Sequence, residues 1–264
     1  INLESLNMIK NILLIDVEYD RAKNSRSQLQ TRWSHHPIGL MYIATAVEKV
    51  FKDIKFEILH TVTCSNAKES IKLLLTDFKP DLVGLRSLNI FQDQFHKIAE
   101  LIRNEAPDTF LIGGGPYPSS SYKKIVEGRV VDLAVIGEGE RTFLDLVSWL
   151  RNHDDLPKDI SGTAVLKNEQ CKVNETRPII ENLDELPIPN YDLININDYK
   201  GISNLAFQEA DKSAFMETSR GCTYKCYYCH AALSKTVRRR SPYLVLEELG
   251  LHYNKRGIKD FVFV

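Results

Sequence analysis

The chain has 264 residues, 43% of them hydrophobic and 26% charged. That globular composition excludes a disordered tail, a collagen-like repeat and a disulfide miniprotein. With 34 Lys and Arg against 35 Asp and Glu, the formal charge is -1, and the chain carries no bulk electrostatic footprint for nucleic acid. The longest apolar runs, 11–17 and 261–264, fall far short of the roughly 20 residues that a membrane helix needs. Ile1-Asn2-Leu3-Glu4 lacks the basic-then-apolar layout of a signal peptide, so the cytoplasm is the expected location and no membrane partner is expected.

At roughly 100–200 residues per domain, two units are expected. The first 150 residues alternate strand and helix. Lys10–Asp16 is a nearly continuous apolar run, as in a strand buried on both faces. A helix pattern over 39–51 puts Leu40, Ile43, Ala44 and Val47 on one side. The alternation continues with strands at 55–60, 81–85, 109–113 and 132–136, and helices at 67–78, 92–104, 119–127 and 140–151. Five strand-then-helix repeats predict an α/β fold with a parallel, doubly wound, Rossmann-like sheet.

The rhythm then breaks. Residues 161–166 and 171–174 flank the polar Lys167-Asn168-Glu169-Gln170, which reads as a hairpin. Leu183–Asn190 is a Pro-punctuated linker. A strand at 213–218, a helix at 242–253 stopped by Gly257, and a strand at 260–264 make one further strand–helix–strand unit. The expected organisation is a first domain over 1–153, a hairpin and linker over 154–212, and a second unit over 213–264. Those last residues are too few for a closed α/β barrel, which takes about 250. The chain also opens on Ile1, so it reads as a truncated piece of a longer protein.

Five cysteines are present. Cys64 and Cys171 stand alone and read as incidental thiols. Cys222, Cys226 and Cys229 fall within eight residues, in Ser219-Arg220-Gly221-Cys222-Thr223-Tyr224-Lys225-Cys226-Tyr227-Tyr228-Cys229-His230. A secreted disulfide framework is usually even and spread out, whereas a tight trio reads as a metal site. Three thiolates on one loop can hold three irons of a 4Fe-4S cubane and leave the fourth open to a small molecule. Zinc usually takes a fourth Cys or His at matched spacing, and neither the adjacent His230 nor a second CxxC supplies it. Tyr224, Tyr227 and Tyr228 lack the interleaved basic groove of a nucleic-acid stacking platform. Arg238-Arg239-Arg240 reads as a solvated basic loop.

The C-x3-C-x2-C spacing, with Tyr228 just before the last cysteine, resembles the cluster loop of the radical S-adenosylmethionine enzymes. The rest of the chain is similar to the subgroup in which a cobalamin-binding Rossmann-like domain precedes the radical barrel. The similarity runs through Pro37–Ala44 at the first helix, Gly113-Gly114-Gly115-Pro116-Tyr117-Pro118-Ser119 after the fourth strand, and Gly137-Glu138-Gly139-Glu140 after the fifth. Leu183–Asn190 resembles the connector and Gly257–Val264 the second barrel strand. The resemblance implies that Cys222, Cys226 and Cys229 ligate the 4Fe-4S cluster. It implies that S-adenosylmethionine chelates the open iron with Tyr228 beside its adenine, and that one-electron cleavage gives a 5′-deoxyadenosyl radical.

Cobalamin is implied against Gly113, Gly114, Gly115, Pro116, Gly137, Glu138 and Gly139. These turns lie at the carboxyl ends of the strands, where ligands of open parallel sheets sit. Helix starts at Ser119 and Glu140 would offer free N–H groups there. The chain departs from the cobalamin motif D-x-H-x-x-G. Ser34 stands where Asp belongs in Ser34-His35-His36-Pro37-Ile38-Gly39, so His36 is expected as a loop residue and not as an axial ligand. Ser87 and Leu88 are then the candidates for the wall under the corrin. The implied reaction is methyl transfer to an unactivated carbon of a small-molecule or natural-product substrate, with a reductant such as flavodoxin or ferredoxin. Cyclisation or rearrangement, with or without cobalamin, and a binding module without turnover remain the alternatives.

Overall fold

A computed structural model describes residues 9–18, 35–153, 157, 159–199, 212–224, 226, 227, 229 and 234–264. Strand β1 (Asn11–Val17) shows why its sequence is apolar without alternation. Leu13, Ile15 and Val17 enter one hydrophobic cluster and Ile12 and Leu14 another, so both sides of the strand are covered. The chain then winds through α1 (Ile38–Val50), β2 (Lys55–His60), α2 (Ala67–Asp77), β3 (Leu82–Ser87), α3 (Gln92–Glu105), β4 (Phe110–Gly114), α4 (Pro116–Glu127), β5 (Leu133–Val135) and α5 (Glu140–Leu150). Leu40, Ala44 and Val47 of α1 pack with Phe143, Leu146 and Val147 of α5 on one face of the sheet. Residues of α2, α3 and α4 cover the other.

Strand order is β2-β1-β3-β4-β5, all parallel, continued by β6 (Thr163–Lys167) and β7 (Gln170–Val173). Both added strands run antiparallel to their neighbours. The hairpin expected inside the linker is therefore the edge of the first sheet. Its reason is burial. Three-residue β5 would otherwise leave its outer edge open, and Ala164 and Val165 of β6 point one into each hydrophobic layer. Asn168 and Glu169, with φ of 50° and 62°, make the tight turn.

Strand β8 (Ser213–Met216) pairs in parallel with β11 (Asp260–Phe263) across α6 (Pro242–Arg256). Helix α6 starts at Ser241, whose hydroxyl accepts from Leu244 N–H, with Pro242 in its first turn, and it stops at Gly257 in the left-handed conformation. Between β8 and α6 lies a short antiparallel ribbon, β9 (Ser219–Arg220) against β10 (Arg238–Arg239). Cys222, Cys226 and Cys229 fall between its two strands in sequence. This unit shares cores with the first sheet. Met41 of α1 packs with Tyr191, Ala214 and Ile258, and Tyr42 with Ile180, Leu183 and Leu186. Among the described residues, no helix is long and apolar enough to cross a membrane.

Candidate functional site

A cavity of about 300 Å³ opens at the carboxyl ends of β3, β4 and β5, within the range of small-molecule sites. Leu14, Gly84 and Ile112 form its floor, Ile38, Leu40 and Ile43 of α1 one side, and Phe143 of α5 another. Both glycine turns wall it, through Gly114, Gly115 and Pro116 and through Gly137, Glu138 and Gly139. Gly115 has φ of +84°, and a Cβ there would lie 2.9 Å from Arg86 Cγ. Only glycine keeps the backbone at this wall. A Cβ on Gly139 would come to 3.0 Å from Ile43 Cδ1, so that turn also meets α1 closely.

The remaining wall is charged, and it comes from the second unit. Glu217 and Arg220 line the cavity. The Arg220 guanidinium donates to Glu140 at 2.6 Å and to Glu217 at 2.7 Å, and lies 3.7 Å from Glu138. It also sits over the Tyr42 ring, 5.4 Å from the centroid. Burial raises Glu217 above the ordinary carboxylate range, and Arg220 only partly offsets it. Burial opposes ionisation of Glu138 as well, but the paired Arg238 guanidinium and the Ile180 N–H overcome it and lower its pKa. Arg220 is held protonated because Glu140 and Glu217 outweigh its desolvation.

The cavity lining does not coincide with all of the residues expected there. Gly113 does not line the cavity; a Cβ there would meet Phe95, Ile125 and Pro118 in the core. Ser87 and Leu88 do not line it either. Ser87 is fully buried and its hydroxyl donates to Leu88 O, and Arg86 holds the wall position instead. Helix α4 begins at Pro116, not Ser119, so proline rings replace the expected free N–H groups and Ser119 N–H donates to Gly115 O. The Ser119 hydroxyl instead accepts from Gly137 N–H, tying the two turns together.

His36 is 3% exposed and packs against Tyr191, Tyr199 and Phe215, away from the cavity lining. Neither ring nitrogen has a hydrogen-bond partner among the described residues. Arg238 and Arg240 are buried in ion pairs with Glu138, a hundred residues earlier, and with Glu248 of α6, and only Arg239 of that run faces solvent. Glu140, Glu217 and Arg220 went unread as site residues. The available signal was three charges in and beside segments otherwise read as buried strand and helix start.

None of the five cysteines is in a disulfide. Cys222 is half-buried and its N–H donates to Ser234 O; Cys226 and Cys229 are exposed, and Cys229 N–H closes a turn onto Cys226 O. Among the described residues no three His, Cys, Asp or Glu side chains are gathered as metal ligands. Ser34 and Tyr228 lie outside the described residues.

A doubly wound sheet whose glycine turns wall a cavity at its carboxyl edge is thus followed by a strand–helix–strand unit that carries the three cysteines. Residues 31–147 match the family model described as B12 binding domain. The chain is 32% identical to an uncharacterized methyltransferase of Pyrococcus horikoshii over 86% of this chain and 48% of that one. It is 25% identical to the cytidylyl-2-hydroxyethylphosphonate methyltransferase of Streptomyces wedmorensis over 86% and 50%. It thus spans about half the length of these relatives. Among solved structures it resembles the radical S-adenosylmethionine methyltransferase TsrM from Kitasatospora setae with cobalamin and a 4Fe-4S cluster bound, at a TM-score of 0.71 and 18% identity, over 97% of this chain and 49% of that one. The cobalamin-dependent S-adenosylmethionine radical enzyme OxsB, with aqua-cobalamin bound, also gives 0.71, at 22% identity over 96% and 33%. The resemblance that the sequence carries is borne out by these comparisons, and so is the fold class.

Proposed function

We propose that this chain is the cobalamin- and cluster-bearing part of a radical S-adenosylmethionine enzyme that transfers methyl groups to an unactivated carbon. The cavity carries the reading, because one wall is made of the glycine turns and the facing wall of the residues that lead into the cysteine loop. The donor set fits a 4Fe-4S cluster, with three thiols outside any disulfide on one short loop. Cys222, Cys226 and Cys229 would hold the cluster, and Tyr228 would lie beside the adenine of S-adenosylmethionine. Together the bound groups supply one-electron cleavage of S-adenosylmethionine and carriage of a methyl group.

The chain's own residues do the rest. Gly114, Gly115, Gly137 and Gly139 let backbone approach a bulky ring, and Ile38, Leu40, Ile43 and Phe143 keep water from it. Glu138 and Arg220 fix the charged wall. The chain comprises a first unit that runs from the expected 1–153 on through the hairpin closing its sheet, a connector up to about 212, and a second unit over 213–264. It takes a small-molecule or natural-product substrate and an electron donor such as flavodoxin or ferredoxin, in the cytoplasm.

Purified without air, the protein is expected to contain iron and sulfide and to absorb in the blue, and Cys226→Ala to lose that band. Hydroxocobalamin is expected to change its spectrum on binding. Release of S-adenosylhomocysteine beside 5′-deoxyadenosine, with reductant and substrate, marks methyl transfer; deoxyadenosine alone would replace methylation by rearrangement. Zinc in place of iron in air-free material would end the reading.

A further inference from the structure

The loop that carries the three cysteines leaves and rejoins the fold through Arg220 and Arg238, which face each other across the β9–β10 ribbon. One carboxylate pairs with both, by hydrogen bonds to Arg238 and by charge alone to Arg220. Glu138 accepts from Arg238 Nη2 at 2.7 Å on one oxygen and from Nη1 at 3.1 Å on the other, while Arg220 Nη1 lies 3.7 Å away. The grip is itself anchored. Ile180 N–H donates to Glu138 at 2.8 Å, and Arg238 Nη1 donates to Ile180 O at 2.6 Å. Arg220 and Arg238 are each under 10% exposed, so bulk water does little to screen these pairs.

Glu138 also belongs to the turn between Gly137 and Gly139 that walls the cavity. One side chain therefore touches the wall of the cavity and both legs of the cysteine loop. An energetic coupling between that turn and the base of the loop would run through this side chain. By linkage, the effect on binding free energy is the same in both directions.

We propose that Glu138 is a positioning residue that couples occupancy of the cavity to assembly of the cysteine loop, so that cobalamin and the iron–sulfur cluster bind with linked affinities. The coupling rests on the reading of the cavity as a cobalamin site and goes beyond it by joining the two sites through a named side chain. It differs from a structural role in what it changes. Loss of a merely structural contact weakens cobalamin binding by the same factor whether or not the cluster is present. Loss of the coupling removes the difference between those two states.

The test titrates hydroxocobalamin by its absorbance change into air-free protein, once loaded with cluster and once stripped of iron by a chelator under reducing conditions. The wild-type Kd is expected to differ between the two states by about fivefold or more, the lower end of ordinary site-to-site coupling. Glu138→Gln, which keeps the shape and one acceptor oxygen but not the charge, is expected to bring the ratio within about twofold of unity. Arg238→Lys, which cannot hold both carboxylate oxygens in a fork, is expected to lower it in part and serves if Glu138→Gln does not fold. The exposed pair of Arg141 and Glu185 provides the control, and Glu185→Gln is expected to leave the ratio unchanged. Equal affinities in the wild type, or an undiminished ratio in Glu138→Gln, would overturn the coupling while leaving the cavity reading intact. A wild type that does not bind hydroxocobalamin at all would overturn both.

Discussion

Gly221 precedes the first cysteine with φ of +98°, and a Cβ added to it would lie 2.1 Å from Thr236 O on the other leg of the loop. No side-chain rotation relieves contact with a backbone oxygen. Gly221→Ala is therefore expected to destabilise the protein by at least the roughly 1–3 kcal/mol of a strained left-handed residue. It should also reduce iron uptake, read by urea unfolding and metal analysis of the same preparation. His36 sets a second expectation at this scale. Burial, helped by nearby His60 and His252, lowers its pKa to about 3 from the ordinary 6.5. The unfolded chain thus binds the extra proton first as pH falls. The stability that neutral His36 contributes is complete above pH 6.5 and is lost progressively toward pH 3, at up to about 1.4 kcal/mol per pH unit. His36→Phe, which fits the same aromatic surroundings, is expected to flatten that part of the stability–pH curve in chemical denaturation. An unchanged slope would show that His36 does not titrate in this way.

At the scale of elements, Arg240 fastens α6 to the first sheet. Its guanidinium pairs with Glu248 of α6, both side chains being wholly buried, and also donates to the Tyr42 hydroxyl of α1 at 3.2 Å and to Glu217 O at 3.3 Å. Removing one partner strands a charge. Arg240→Met is expected to cost about 3–5 kcal/mol, and Arg240→Met combined with Glu248→Leu distinctly less. Both are measured by urea denaturation, and a double variant as unstable as the single one would contradict the account. These elements also separate what was legible from what was not. The strands and helices of the first 150 residues follow from periodicity to within a few residues, because the helices and most of the strands are long enough to show their own pattern. The ribbon β9–β10 was invisible, since two residues on each side carry no period and its pairing is made by partners far along the chain. The same limit explains the basic run at 238–240. Composition suggests a solvated loop, and only the fold brings Glu138 and Glu248 to it.

At the scale of the whole molecule, the two units are not beads on a string. Met41 and Tyr42 of α1 pack into two apolar clusters shared with the connector, and Met41 also meets residues at β8 and just past α6. Buried ion pairs run between the same parts. The expected result is one cooperative unfolding transition, with tryptophan fluorescence and far-ultraviolet circular dichroism giving coincident curves. Two resolved transitions in calorimetry would show instead that the shared cores and ion pairs do not couple the units.

By itself the sequence determined the order of the doubly wound elements, the glycine turns at their carboxyl ends and the three-thiol spacing, because each is written in contiguous residues whose types and intervals have a direct physical meaning. Only the tertiary structure decided that the hairpin closes the edge of the sheet, that Arg86 and not Ser87 or Leu88 meets the cavity, that His36 is packed among aromatic rings, and that Glu138 pairs with Arg238 and lies within ion-pair distance of Arg220. Those outcomes depend on which distant groups share a buried space. A carboxylate's worth in such a space is set by the guanidinium the fold places beside it.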